Sequence, residues 1–319
     1  MGMIDPHVHC RDGKQSYKET ISHVLELAES QGIDKIFDMP NTDPPILTRA
    51  DVNERLKLVP KNKWENYCLY VGASGDGKQL EEAVISCDVY AEVVGIKMFA
   101  GQSVGDLAIL GMETQRRVYK KLSETGYKGV IAVHCEKEDF INKDAWEPQK
   151  PITHSLARPK IAEIESVRDQ IAFAKEAGFQ GTLHICHASC PDTVKLVDEA
   201  RKDMKITCGA TPHHILWDME MQRRPDGLLY KMNPPLRDWD DVSGMRQLLR
   251  DGKIDWIETD HAPHAVGEKL FPPYLSGYPS LYLYKSFIND FLPTIGIDKK
   301  QIDDLTNGNI IKAFGEKLQ

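Results

Sequence analysis

The chain of 319 residues is 41% apolar and 28% charged, with a formal net charge of −8, so it is long enough to bury a full core and too mixed in composition to be disordered or fibrous. The acidic balance argues against nucleic acid or an anionic membrane as partner. No apolar run approaches the roughly 20 residues of a membrane helix or follows a basic start as in a secretion signal, and seven cysteines without a Cys-x-x-Cys pair argue against a disulfide framework or a zinc ribbon. A cytoplasmic protein with reduced, mostly buried thiols is expected, and an acidic substrate has to be captured by local positive groups.

Short β-branched and apolar runs alternate with longer amphipathic stretches along the whole chain. In chain order the strands are predicted at 4–9, 35–38, 67–71, 95–99, 129–134, 182–187, 205–208 and 255–259. Helices are predicted among them at 17–30, 79–90, 113–124, 162–177, 191–203 and 240–251, several ending at glycine. Eight strands alternating with helices predict a (β/α)8 TIM-type barrel. No linker, charge run or internal repeat divides the chain, so 1–319 reads as one barrel domain.

The first strand carries Asp5-Pro6-His7-Val8-His9-Cys10-Arg11. Side chains two apart on a strand face the same way, so His7 and His9 can reach one metal ion and Arg11 comes off the same face toward an anionic substrate. An isolated His-x-His is as well explained by two surface histidines. The barrel changes that, because its chemistry sits at the C-terminal ends of the strands, and Lys97, His134, His187 and Asp260 fall on or just beyond strands four, five, six and eight. Imidazole and carboxylate ligands suit zinc better than calcium or magnesium. A lysine ammonium repels a dication, so Lys97 makes sense as a ligand only after reacting with carbon dioxide to a carbamate, whose two oxygens can bridge two metals.

Seven segments in order resemble the motifs of the dihydroorotase family in the amidohydrolase superfamily. They are the opening Asp5 to Arg11, Asp38-Met39-Pro40-Asn41-Thr42, Gly95-Ile96-Lys97-Met98-Phe99, Val133-His134-Cys135-Glu136, His184-Ile185-Cys186-His187-Ala188-Ser189, Asn233-Pro234-Pro235-Leu236-Arg237 and Asp260-His261-Ala262-Pro263-His264. The resemblance implies two zinc ions per chain, bridged by carboxylated Lys97 and a hydroxide. His7, His9 and Asp260 would hold the more buried ion, and His134 and His187 the other. It implies reversible cyclisation of N-carbamoyl-L-aspartate to L-dihydroorotate in pyrimidine biosynthesis, with Asp260 as general base and then general acid. Arg11, Asn41 and His264 would bind the substrate carboxylate, Arg11 by a bidentate fork. Asn233 would meet the ring amide, and the backbone near Ser276 and Gly277 would add to it. The plainer structural readings, a turn cap after Pro40 for Asn41 and a turn residue before two prolines for Asn233, carry less weight.

The other histidines are read as structural. His23 is expected to be solvated, His154 lies in a loop, His184 is a core or supporting group, His213 and His214 pack near the rim, and His261 turns away from the metals. Ser189 lacks the Gly-x-Ser-x-Gly elbow of a hydrolase nucleophile. Where the family shows Glu-Pro-Gly after the arginine, this chain has Asp12-Gly13-Lys14. The family's accessory β-sandwich is expected to be mostly or wholly missing, leaving a barrel that relies on a homo-oligomeric partner, such as a second copy in a dimer. The segment 100–111 around Gln102, Ser103 and Asp106 suits a mobile lid or a plain connecting loop. Two other readings remain. One is another cyclic-amide hydrolase (dihydropyrimidinase, hydantoinase or allantoinase), against which Arg11 and Asn41 argue, since neutral rings offer no carboxylate. The other is a silent barrel that binds a pyrimidine-pathway enzyme, against which the complete ligand set argues.

Overall fold

Eight parallel strands follow one another in space as they do in sequence in the computed structural model, which describes residues 2–102 and 107–318. They are β1 (Met3–Val8), β2 (Ile33–Asp38), β3 (Tyr67–Gly72), β4 (Val93–Ala100), β5 (Val130–Cys135), β6 (Thr182–Ile185), β7 (Ile206–Ala210) and β8 (Trp256–Ile257). Strands β3, β4 and β5 are buried along their whole length and read as nearly continuous apolar runs, whereas β2 opens with an exposed Asp34. In β4 every residue is buried, and Lys97 is its one charged side chain.

Between the strands run α1 (Ile21–Ser30), α2 (Arg49–Leu56), α3 (Gly77–Val89), α4 (Met112–Glu124), the short α5 (Thr153–Ala157), α6 (Lys160–Glu176), α7 (Pro191–Ala200), the short α8 (Pro212–Leu216), α9 (Trp239–Arg250) and the short α10 (Val266–Leu270). Their starts are chemically marked. Thr20 caps α1 by accepting from the His23 N–H, Asp76 caps α3, and Asp238 caps α9. Helix α2 falls outside the predicted set although its capping box, Thr48 with Asp51, is a sequence-level signal. The predicted start at 17 moves to Ile21 because Thr20 is the cap.

The larger apolar core lies between barrel and helices, and a smaller one fills the barrel floor with Ile4, Phe37, Tyr70, Val94, Ala132 and Trp256. Phe314, from the last helical turns, inserts its ring there, 5.0 Å from Phe37, 6.0 Å from Trp256 and 6.3 Å from Tyr70 between centroids. The lower half of the barrel is thus aromatic and the upper half is left for polar side chains.

Two strands are shorter than predicted, β6 ending at Ile185 and β8 at Ile257. The residues beyond them leave extended geometry, with His187 at φ 39° and Asp260 at φ 47°. Arg11 and Asp12, after β1, have φ 53° and 59°. Such backbone costs of order 1–3 kcal/mol per non-glycine residue, and here it turns side chains back over the mouth. The barrel is closed at the same level. Thr259 donates from N and Oγ1 to the Asp5 carboxylate at 3.0 and 2.5 Å, and the His9 N–H donates to His261 O at 2.8 Å. Ser103 and Asp106 of the candidate lid lie outside the described residues. Gln102 is tied down by Arg158, which donates to its carbonyl at 3.0 Å, and by Lys143, which donates to its side chain at 2.7 Å.

Candidate metal centre and active site

At the C-terminal mouth one cavity is lined by every predicted site residue except Lys97 and His264, together with Phe99, Ala262, Ser276 and Gly277. His7 and His9, two apart at the end of β1, point their Nε2 atoms at the same Asp260 Oδ1, at 3.2 and 3.0 Å. All three side chains are buried. Burial, helped by Arg11 and His7, lowers the His9 pKa to about 4. Burial works against an ionised Asp260, but His7 and His9 outweigh it and hold the carboxyl well below its ordinary range. His7 goes the opposite way, since Asp260 outweighs both burial and the nearby Lys97 ammonium and its pKa lies well above the ordinary value. A carboxylate with two convergent imidazoles, one of them holding a proton chiefly because of that carboxylate, is a donor set that suits a divalent cation.

His134, at the end of β5, and His187, beyond β6, set Nδ1 and Nε2 face to face 3.2 Å apart. Burial keeps His187 neutral. His187 Nδ1 is buried without a hydrogen-bond partner, and His134 Nε2 lies 3.2 Å from Glu136 Oε2. Lys97 lies under the cavity, fully buried, over the Phe99 ring at 5.1 Å, and its Nζ donates to Cys186 Sγ at 2.9 Å. The imidazoles and carboxylate gathered here form a donor set that fits borderline divalent ions. A second grouping within ligand reach, His7 with Cys186 and Glu258, sits on the same side of the barrel.

Arg11 is 3% exposed. Its Nε donates to Pro263 O at 3.2 Å, and its Nη2 lies 3.2 Å from His264 Nε2. His264 is also 3.0 Å from Ser276 O through the same nitrogen. Asn41 accepts through Oδ1 from His9 Nδ1 at 2.8 Å, which leaves the His9 Nε2 lone pair for a metal. Asn233 faces the cavity from the loop after α8. Arg11 and Asn41 thus line the same cavity as the candidate ligands, with His264 behind Arg11.

Several supporting residues escaped the sequence reading. Glu258 accepts from His184 Nε2 (3.1 Å), the His187 N–H (2.5 Å) and Trp256 Nε1 (3.0 Å) and lies 3.5 Å from His7 Nδ1. Its place just after β8 and two before Asp260 was the available signal. Burial would raise the Glu258 carboxyl, yet His184 and His7 hold it well below its ordinary range. Asp38 accepts from Arg55 at 2.9 and 2.6 Å, from the Tyr67 hydroxyl at 2.7 Å and from the Cys10 N–H at 2.9 Å, while Arg55 Nη1 donates to Arg11 O at 2.6 Å. This network grips the backbone that carries Arg11. Asp12 explains the departure from Glu-Pro-Gly, since its Oδ2 accepts from the Ile21 N–H at 2.8 Å and ties the loop to α1. Glu136 lies between His134 Nε2 (3.2 Å) and Arg158 (2.6 Å).

His154, read as a loop residue, is instead buried on α5. His184 supports Glu258 as expected, and His213 and His214 are buried. His261 points toward Glu19, 3.7 Å away. Ser189 hydrogen-bonds Glu163 and Arg237 within the structure. All seven cysteines are buried and unbridged. Among the described residues no helix is long and apolar enough to cross a membrane.

No family model matches the chain. Its similarity to individual proteins is extensive. It is 30% identical to a dihydroorotase of Methanosphaera stadtmanae over 98% of this chain and 70% of that protein. It is 31% identical to a dihydroorotase of Aeropyrum pernix over 90% of this chain and 63% of that protein. The share spanned falls to 55% in a relative from Pyrococcus horikoshii. The L-hydantoinase of Arthrobacter aurescens superposes with a TM-score of 0.85 over 98% of this chain and 71% of its own, at 24% identity, which confirms the barrel. With seven motifs in order, one cavity gathering their polar side chains and 30% identity across nearly its full length to a dihydroorotase, the chain belongs to the dihydroorotase family of the amidohydrolase superfamily.

Proposed function

We propose that this protein is a metal-dependent cyclic amidohydrolase that interconverts N-carbamoyl-L-aspartate and L-dihydroorotate. The observation that carries the reading is the buried Arg11 beside His264 and near Asn41, in the same cavity as His7, His9, His134, His187 and Asp260. A neutral ring offers that guanidinium only carbonyl oxygens, whereas a carboxylate offers a charge-matched pair of acceptors. His7, His9 and Asp260 would hold one zinc ion, His134 and His187 a second, and Lys97, as its carbamate, would serve both. When bound, such ions make water nucleophilic near neutral pH and polarise an amide carbonyl.

The side chains supply the rest. Arg11 and His264 anchor the substrate carboxylate, Asn41 adds a polar contact, and Asn233 fixes the ring. Asp260, ionised and within 3.2 Å of both histidines of β1, takes the proton released as water adds and delivers it to the departing amide nitrogen. In the cyclising direction it works in reverse. Phe99 adds an apolar ring to the cavity lining.

The test is zinc analysis joined to assays on L-dihydroorotate, carbamoyl aspartate, hydantoin and dihydrouracil. About two zinc ions per chain, interconversion of the first pair and loss of turnover on chelation are expected. A metal-loaded enzyme that opens hydantoin or dihydrouracil and leaves dihydroorotate untouched would overturn the reading.

A further inference from the structure

His154 lies on α5, between β5 and α6, 4% exposed, with its ring edge-on to the Trp146 indole at 5.5 Å. Its Nε2 is 2.9 Å from Met232 O and 3.0 Å from Asn233 Oδ1. A backbone carbonyl can only accept, so Nε2 must carry the hydrogen, and the one N–H is shared between the two oxygens. That settles the orientation of the asparagine, because an –NH2 at this place would set two donors against each other in a buried site. With Oδ1 tied back, Nδ2 is the group that Asn233 has left for the cavity it lines.

From this arrangement we infer that His154 is a positioning residue that locks the Asn233 carboxamide with its –NH2 toward the substrate, so that this wall selects an acceptor oxygen. The inference rests on the reading of the cavity as a cyclic-amide site and refines it. A free carboxamide turns over at little cost and meets either a C=O or an N–H, whereas the locked one meets only an oxygen. Asn233 therefore pairs with a carbonyl oxygen flanking the scissile bond, or with the corresponding ureido oxygen in the cyclising direction, and rejects a ring N–H. Burial beside Lys231 and Arg158 keeps His154 uncharged, so Nδ1 stays bare and the donor remains on Nε2.

Two measurements on the metal-loaded full chain test the lock. Histidine-selective 15N NMR is expected to show His154 as the neutral Nε2–H form between pH 6 and 9, and an Nδ1–H form overturns the proposal without reference to any substrate. In a double-mutant cycle, His154→Phe keeps an aromatic ring and removes the donor. It is expected to raise KM roughly tenfold, with zinc content retained and kcat within about threefold. In the Asn233→Ala background the same change is expected to cost less than about twofold in KM. An equal penalty in both backgrounds makes His154 merely structural and ends the proposal. If L-dihydroorotate is not turned over, the functional reading fails by itself, and the cycle is run on whichever cyclic amide the enzyme opens. Should His154→Phe not fold, the tautomer in the wild-type protein still decides.

Discussion

Arg11 combines burial, an uncommon φ of 53° and a position beside the ligands but off them. Its replacement by methionine keeps much of the bulk and loses the fork. Arg11→Met is expected to weaken carboxylate binding by about 1.5–3 kcal/mol, roughly 10- to 150-fold in KM for dihydroorotate, at unchanged zinc content, and normal kinetics would remove the anchor role. Asp260→Asn keeps the shape and loses the base, so kcat is expected to fall at least ~100-fold in a protein whose thermal midpoint is little changed. His214 offers a pH test. It is buried, accepts from the Thr211 hydroxyl at Nδ1 (2.8 Å) and donates from Nε2 to Pro234 O at 3.1 Å. Burial, with His213 beside it, holds its pKa well below 6.5. The unfolded chain therefore binds a proton as the pH drops through about 6.5 while the folded chain does not, so stability is present above that pH and lost below it. Thermal midpoints measured from pH 7.5 to 5 are expected to fall less steeply in His214→Gln. Equal slopes would clear His214 of any part in the acid limb.

At the scale of elements, what the sequence shows depends on how local the cause is. Strand alternation, the capping residues and the candidate ligand positions on β1, β4 and β5 follow from neighbours in the chain. The ends of β6 and β8 do not, because the positive φ at His187 and Asp260 is imposed by strands that meet only in the closed barrel. The supporting hubs are equally invisible. Asp38 and Arg55 are 17 residues apart, and nothing local says that their ion pair, both members buried, grips the loop of Arg11. His154 and Asn233 are 79 apart, and only the fold makes a histidine of α5 the partner of a site asparagine. Leaving Asp38 as an unpaired buried charge is expensive, so Arg55→Met is expected to destabilise by ~3–5 kcal/mol and to raise KM by loosening Arg11. Denaturant unfolding checks the first effect, and a stability loss below 1 kcal/mol would show that the hub is dispensable.

Across the whole molecule the barrel separates its tasks by depth. Polar ligands occupy the mouth, a carboxylate seam between Asp5 and Thr259 closes the wall, and aromatics pack the floor. The site was legible because its residues belong to motifs at strand ends. The floor was not, since its central ring, Phe314, comes from the far end of the chain and joins residues of β1, β2, β3 and β8. Phe314→Ala is expected to cost about 3–5 kcal/mol and to lower the thermal midpoint without altering zinc stoichiometry, and a change under 1 kcal/mol would show that the floor repacks. The same plug bears on biosynthesis. A ribosome delivers the chain from β1 onward, so all eight strands leave the exit tunnel before the ring that stops the base of the barrel. Until residue 314 emerges, Phe37, Tyr70 and Trp256 lack the ring that packs against them in the finished protein.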